Sequence, residues 1–264
     1  MSPPPAPRPA ALVTGASSGL GRAYAESLAA RGHPLLLVAR REDRLRELAG
    51  WAERTHGVAA RVLAADLAAE DGLAACRDAI DAGPPLGLAI LNAGFGDHAP
   101  VHGADRERLA AMVRLNCVAV VDLAAHVLPG MVARGAGAVV VVSSAAAWQP
   151  VPFMATYAAT KAFELHLTEA VAAELRGTGV RALAVCPGPT RTEFGLHTGA
   201  AGTHWAVPFD DVDLVVRATW RALAAGRPRA ATGLVARGSM LASRLLPRAL
   251  IVRGAALTHR MSVR

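Results

Sequence analysis

Six short apolar runs recur along this chain, each closed by turn-forming or polar residues and each separated from the next by a helix-like stretch. The runs are Ala11 to Thr14, Pro34 to Ala39, Ala59 to Ala65, Leu86 to Leu91, Ala138 to Val142 and Val180 to Val185. Helices are expected over about Leu20 to Arg31, from Glu42 onward, Glu70 to Ala82, Asp105 to Arg134, through Tyr157 to Arg176, and Asp210 to Ala225. Strands that are apolar throughout are buried on both faces, and strands joined through helices pair in parallel. The expected fold class is α/β: a doubly wound parallel sheet in a three-layer α/β/α arrangement. No repeat or linker divides the chain. A single domain is expected over 10–238, with a disordered proline-rich lead-in over 1–9 and an apolar, arginine-rich tail over 239–264.

Composition narrows the function. Hydrophobic residues make up 53% and charged residues 19% of the 264, the balance of a globular chain. The formal net charge of +7 raises nucleic acid as a partner. The arginines are scattered, aromatics are few and no zinc-finger or RNA-recognition spacing occurs, so no nucleic acid partner is expected. Cys76, Cys117 and Cys186 are odd in number and far apart, which suggests reduced, mostly buried thiols and a cytoplasmic setting. The lead-in lacks the apolar core of a signal peptide, and no uninterrupted apolar run reaches membrane-spanning length.

Two local patterns carry chemistry. The loop after the first run reads Thr14-Gly15-Ala16-Ser17-Ser18-Gly19-Leu20-Gly21. Its glycines permit a tight turn and close backbone approach to a pyrophosphate, and the helix N-terminus that follows offers free N–H groups. This segment is expected to bind a dinucleotide. Farther on, Tyr157 precedes Lys161, the only lysine in the chain. Positions i and i+4 share a helix face, and a nearby ammonium favours the phenolate of a tyrosine that would otherwise titrate near pH ~10. A proton donor and acceptor usable near neutral pH is expected there.

Taken in order, the chain resembles the short-chain dehydrogenase/reductase family from about Ala10 to Ala225. The resemblance rests on the TGxxxGxG loop over Thr14 to Gly21, Asp66, Asn92-Ala93-Gly94, Asn116, Ser144, Tyr157 with Lys161, and Pro187-Gly188 followed by Thr192. It implies a Rossmann fold, a nicotinamide cofactor and hydride transfer between an alcohol and a carbonyl. By the same resemblance Ser144, thirteen residues before Tyr157, binds the substrate oxygen, with Ser143 as the competing assignment. Tyr157 is the general acid/base, Lys161 lowers its pKa and binds the nicotinamide ribose, and Asn116 holds a water that completes a proton relay. The competing reading of Asn116 is a polar residue that bends the long helix.

The implied cofactor set is Gly15, Ser17, Ser18, Gly19, Leu20, Gly21, Arg40, Arg41, Asp66, Leu67, Asn92, Ala93, Gly94, Tyr157, Lys161, Pro187, Gly188, Thr190 and Thr192. The second strand ends at Ala39, where an acidic residue would select NAD, and Arg40 and Arg41 come next. Guanidinium groups hold a 2′-phosphate well, so NADP(H) is expected over NAD(H). The alternative is that both arginines only pair with Glu42 or Asp43.

Two apolar loops are expected to wall the substrate pocket: Ala145 to Thr156, with Trp148 and Phe153, and Glu193 to Pro208, with Phe194, His197, His204 and Trp205. Packing of these side chains onto the body is the competing reading. The substrate is expected to be an apolar alcohol or carbonyl. His98 and His102 lack further ligands, so no metal is expected, and His126 and His166 are taken as structural. A homodimer or homotetramer is the default assembly. The tail mixes leucines with Arg244, Arg248, Arg253 and Arg260, which suits subunit or pocket packing or peripheral membrane contact. A nucleotide-binding regulator without chemistry and a membrane-associated scaffold are the alternative functions.

Overall fold

The computed structural model describes residues 8–197 and 209–260. The lead-in up to Pro7, and His204 and Trp205 of the second pocket loop, lie outside the described residues. Seven parallel strands form one sheet: β1 Ala10–Thr14, β2 Leu35–Ala39, β3 Ala60–Ala64, β4 Leu86–Leu91, β5 Gly137–Val142, β6 Val180–Pro187 and β7 Arg229–Thr232, in the order β3-β2-β1-β4-β5-β6-β7. The helices between them are α1 Gly19–Ala29, α2 Glu42–His56, α3 Glu70–Asp81, α4 Arg106–Val113, α5 Ala119–Ala133, α6 Ala155–Glu174, α7 Phe194–His197 and α8 Val212–Ala224. This is the doubly wound, three-layer Rossmann fold expected from the alternation of apolar runs.

Alternation along each strand splits the core into two layers. Ala11 and Val13 of β1, Leu35 and Leu37 of β2, Val140 of β5 and Leu183 of β6 face one side with Leu28 of α1, Leu45 and Leu48 of α2 and Val215 of α8. Ala10 and Leu12, Leu36 and Val38, Val139 and Val141 face the other with Leu73 of α3 and Leu123 of α5. Strands buried on both faces need apolar residues at every position, which is why β1 and β2 read as unbroken apolar runs.

Three features differ from the sequence reading. The expected helix from Asp105 to Arg134 is continuous but contains a π-helical turn, Arg114–Val118, between α4 and α5. By length and composition the stretch Arg106–Ala133 would suffice to cross a membrane, a feature the sequence reading did not single out because Arg114, Asn116 and Asp122 interrupt its apolar run. Here it covers the sheet, with Leu123 and Met131 fully buried. The third difference is at the C-terminal end, where β7 pairs with β6 and is followed by α9 Gly233–Leu245 and α10 Arg248–Arg260. The expected boundary at 238/239 falls inside α9. β7 is only four residues long, from Arg229 to Thr232, so it lacks the apolar run that marked the others.

Candidate active site

The strand order reverses between β1 and β4, and ligands bind at such switch points beyond the strand C-termini. The Thr14 side chain fastens the two loops there. Its hydroxyl accepts from Asn92 N at 2.9 Å and Ala93 N at 3.0 Å, and Asn92 Nδ2 donates to Thr14 O at 3.1 Å. Gly15 adopts φ of 66°, a left-handed conformation that favours glycine. A Cβ on Gly21 would lie 2.1 Å from Gly15 O, so the turn closes only over a bare backbone. Ser18 caps α1 without a side-chain hydrogen bond, and no acidic residue occupies the first turn. The N–H groups at this helix start face the loop with no side-chain acceptor of their own, which fits a pyrophosphate.

Arg41 leaves Glu42 and Asp43 alone. Its guanidinium donates to Ser17 Oγ at 3.2 and 3.3 Å and pairs with Glu193 at 2.9 Å, while Glu42 pairs with Arg46 at 2.7 Å. The Arg41 partnership holds the Glu193 carboxyl below the usual carboxylate range. Arg40 is exposed beside it at the end of β2. Asp66 is exposed after β3 and accepts from Ala68 N at 3.0 Å, with Leu67 buried behind it. Pro187 ends β6 and Gly188 follows it. The Thr190 hydroxyl is spent on Gly188 O at 2.9 Å, and Thr192 packs against Gly19.

The sequence-predicted reacting group converges. Tyr157 and Lys161 are both buried on α6, and the Lys161 Nζ lies 5.8 Å from the Tyr157 ring centroid. Ser144 stands near enough to the phenol to pull its pKa down, and its hydroxyl accepts from Ala146 N at 3.1 Å. Ser143 instead donates to Lys161 O at 2.7 Å, which anchors α6 and leaves Ser144 as the residue on the tyrosine. Asn116 sits in the π turn, fully buried. It donates to Phe95 O and Thr160 Oγ1, both at 3.0 Å, and accepts from Phe95 N at 3.2 Å. Such turns widen a helix by one residue and recur at functional sites. A Cβ on Gly94 would lie 3.0 Å from Asn116 Oδ1 and 3.4 Å from Lys161 Nζ, so both polar groups close on one glycine.

The electrostatics correct one expectation. Burial pushes the Tyr157 phenol up more than Lys161 and Ser144 pull it down, so its net shift here is upward. The Lys161 ammonium itself is stabilised against burial by a partner that sequence reasoning missed. Nζ donates to Glu164 Oε1 at 2.9 Å and to Val142 O at 2.9 Å. Glu164 is 1% exposed, and burial raises its carboxyl to about 7. The available signal was an acidic residue three positions after the sole lysine, on the same helix.

The wall beside Tyr157 is apolar: Met112, Val151, Met154 and Ala158, with Phe95, Leu109, Ala146 and Phe194 against them. Phe194 lies 5.5 Å from Tyr157, ring centre to ring centre. Leu109 and Met112, at i and i+3 on α4, were also missed. Phe153 holds φ of 66°, unusual for an aromatic residue, and its ring lies 6.4 Å from His98. Trp148 packs elsewhere, with Ala147, Leu165, Ala184 and Cys186, so the structure does not bring it to Tyr157. No cluster of metal-ligating side chains occurs among the described residues.

A profile of the short chain dehydrogenases matches residues 9–200. The chain belongs to the short-chain dehydrogenase/reductase family. It is 37% identical over 174 residues to a very-long-chain 3-oxoacyl-CoA reductase of Pyricularia oryzae, covering 64% of this chain and 53% of that protein. It is 35% identical over 184 residues to the 7beta-hydroxysteroid dehydrogenase of Collinsella aerofaciens, covering 69% and 68%. The chain thus spans little more than half the length of the 3-oxoacyl-CoA reductases it matches. Among solved structures, it is similar to a short-chain dehydrogenase from Sphingobium yanoikuyae in complex with NADPH. The TM-score is 0.80 and the identity 36%, over 90% of this chain and 93% of that one.

Proposed function

We propose that this short-chain dehydrogenase/reductase is an NADP(H)-dependent enzyme that interconverts an alcohol and a carbonyl on an apolar small molecule. The observation that carries this reading is the placement of a buried Tyr157, with Lys161 5.8 Å from its ring and Ser144 acting on its phenol, against the apolar wall beyond the strand C-termini. A bound nicotinamide would supply or accept the hydride. In carbonyl reduction, Ser144 donates to the substrate oxygen as charge grows there, and Tyr157 delivers the proton to that oxygen. Lys161 holds positive charge beside the phenol and would bind the nicotinamide ribose of a bound coenzyme. Asn116, pinned by Phe95 and Thr160, holds a water that returns a proton toward Lys161. A regulator without chemistry would need none of this group.

Support for NADP(H) comes from Arg41 at the Ser17 hydroxyl and from the NADPH complex of the Sphingobium relative. Arg40→Ala and Arg41→Ala are each expected to weaken NADPH at least tenfold while leaving NADH nearly unchanged, since only the 2′-phosphate loses a charge-assisted bond. Titration of coenzyme fluorescence would check this, and equal losses for both coenzymes would refute it. NADPH consumption across a panel of bulky apolar ketones and aldehydes tests the reaction class itself.

Assembly and the tail follow from exposed apolar surface. Val113 of α4, Val118 of the π turn, Val121 of α5 and Phe163 of α6 are exposed, which suits contact with a second copy in a homo-oligomer. On α9 and α10, Leu234, Leu241, Leu245, Leu250 and Leu257 are exposed, and no acidic residue follows Asp213. Arginine beside exposed leucine, on a segment without acidic residues of its own, suits an anionic lipid surface better than a like-charged copy. Co-flotation with phosphatidylserine vesicles, lost at high salt, is the expected outcome. Absence of flotation at low salt would end the lipid reading.

A further inference from the structure

Lys161 and Glu164 are the only lysine and the only carboxylate buried among the described residues. Their side chains are 5% and 1% exposed, and they meet through one carboxylate oxygen at 2.9 Å. The other oxygen, Oε2, is buried with no hydrogen-bond partner. Thr168, one turn farther along α6, spends its hydroxyl on the Glu164 backbone carbonyl at 2.7 Å. As a purely structural device this arrangement is poor. A buried pair stabilises only when its geometry is good and its remaining lone pairs are satisfied, and apolar side chains of similar volume often serve as well. The sequence nevertheless places a carboxylate three residues from the one lysine.

The carboxylate stands where it controls what the tyrosine feels. Lys161 favours the Tyr157 phenolate, and Glu164 opposes it. The other titratable groups around Glu164 are Cys117 from the π turn and Cys186 from β6, whose thiols burial pushes up to about 11 and about 12. Both are neutral near pH 7. Glu169, farther along α6, is engaged by Arg229 of β7. The net charge behind the phenol therefore changes in one place. With Glu164 ionised the ammonium is offset, and with Glu164 protonated it acts on Tyr157 uncompensated.

We propose that Glu164 is a positioning residue for the acid/base tyrosine: it fixes the Lys161 ammonium against Val142 O and sets, by its own ionisation, how strongly that ammonium favours the phenolate. This rests on the reading of Tyr157 as acid/base, but its test does not depend on turnover. The chain has one lysine and two tyrosines, Tyr24 and Tyr157, so isotope labelling gives one lysine side-chain signal and two phenol signals. Tyr24 is fully buried against Thr219 on the opposite side of the sheet from the α6 ion pair and serves as the internal control.

In protein labelled with ¹³Cε-lysine, the Lys161 signal is expected to step once between pH 5 and 9 as Glu164 ionises. In Glu164→Gln the step disappears. In protein labelled with ¹³Cζ-tyrosine, the Tyr157 midpoint is expected to fall by about one pH unit in Glu164→Gln, because the opposing charge is gone, while Tyr24 is unchanged. A structural role alone would move neither midpoint. A flat lysine trace in the parent protein overturns the proposal, and so does an unshifted Tyr157 midpoint in Glu164→Gln. Should Glu164→Gln fail to fold, the parent trace decides: a lysine step that coincides with the ¹³Cδ titration of a glutamate supports the proposal. If the acid/base reading itself were wrong, Tyr157→Phe would keep its turnover whatever these titrations gave.

Discussion

Replacing Tyr157 with phenylalanine is expected to lower carbonyl reduction by about 10²–10⁴-fold, the usual worth of a positioned general acid. Coenzyme affinity and thermal stability should stay close to those of the parent. The ring remains in place against Phe194 and Met154, so the apolar wall is kept. What is lost is the hydroxyl on which Ser144 and Lys161 act. Solvent reaches this buried position poorly, so no water replaces the missing proton donor easily. Single-turnover kinetics with NADPH and an apolar ketone would read the loss in the chemical step, with KM nearly unchanged.

The second large effect concerns stability. Lys161→Met leaves Glu164 buried without its cation, and breaking a buried pair by removing one partner typically costs about 3–5 kcal/mol. The sign of the pH dependence follows from the raised carboxyl. Its folded-state pKa of about 7 lies above the ordinary 4.5. The folded state therefore binds the proton more tightly, and its stabilising contribution is complete below about pH 4.5 and lost as pH rises through 7. In Lys161→Met the carboxyl loses the neighbour that pulled it down, so the variant keeps losing stability above pH 7, where the parent levels off. The gap in Tm between the two should be small at pH 5 and widest at pH 8.5. Adding Glu164→Leu should recover most of the stability and none of the turnover. A gap that does not change with pH would mean that Glu164 is solvated rather than buried.

Much of this was legible in the sequence because both fold and site rest on local patterns. β1, β2 and β4 to β6 announce themselves as apolar runs because both of their faces are buried. The glycine loop is legible because Gly15 and Gly21 have no room for a side chain, a constraint that shows directly in residue identity. Tyr157 and Lys161 are four residues apart on one helix, so their proximity needed no tertiary knowledge. Other features required the fold. β7 is a short edge strand, and its pairing with β6 gives it an order its own sequence does not declare. Arg41 reaches Glu193 across 152 positions, which no local pattern reveals. Trp148 was assigned to the pocket because it lies in a pocket loop, but its 3₁₀ turn, Ala145–Trp148, directs it into the cluster with Leu165 and Cys186. The tyrosine's net shift was misjudged because the cation is visible in sequence and the depth of burial is not.

One isotope experiment tests most directly whether Tyr157 serves hydride transfer as the proton donor. NADPH carrying deuterium at the transferable C4 position would be incubated with a bulky apolar ketone and either parent protein or Tyr157→Phe. The account predicts an alcohol bearing deuterium on the former carbonyl carbon, formed by the parent and suppressed at least a hundredfold in the variant, in line with about 10²–10⁴ for general-acid catalysis. Equal deuterium incorporation by both proteins, or none by a parent that binds NADPH and is offered a broad ketone panel, would contradict it.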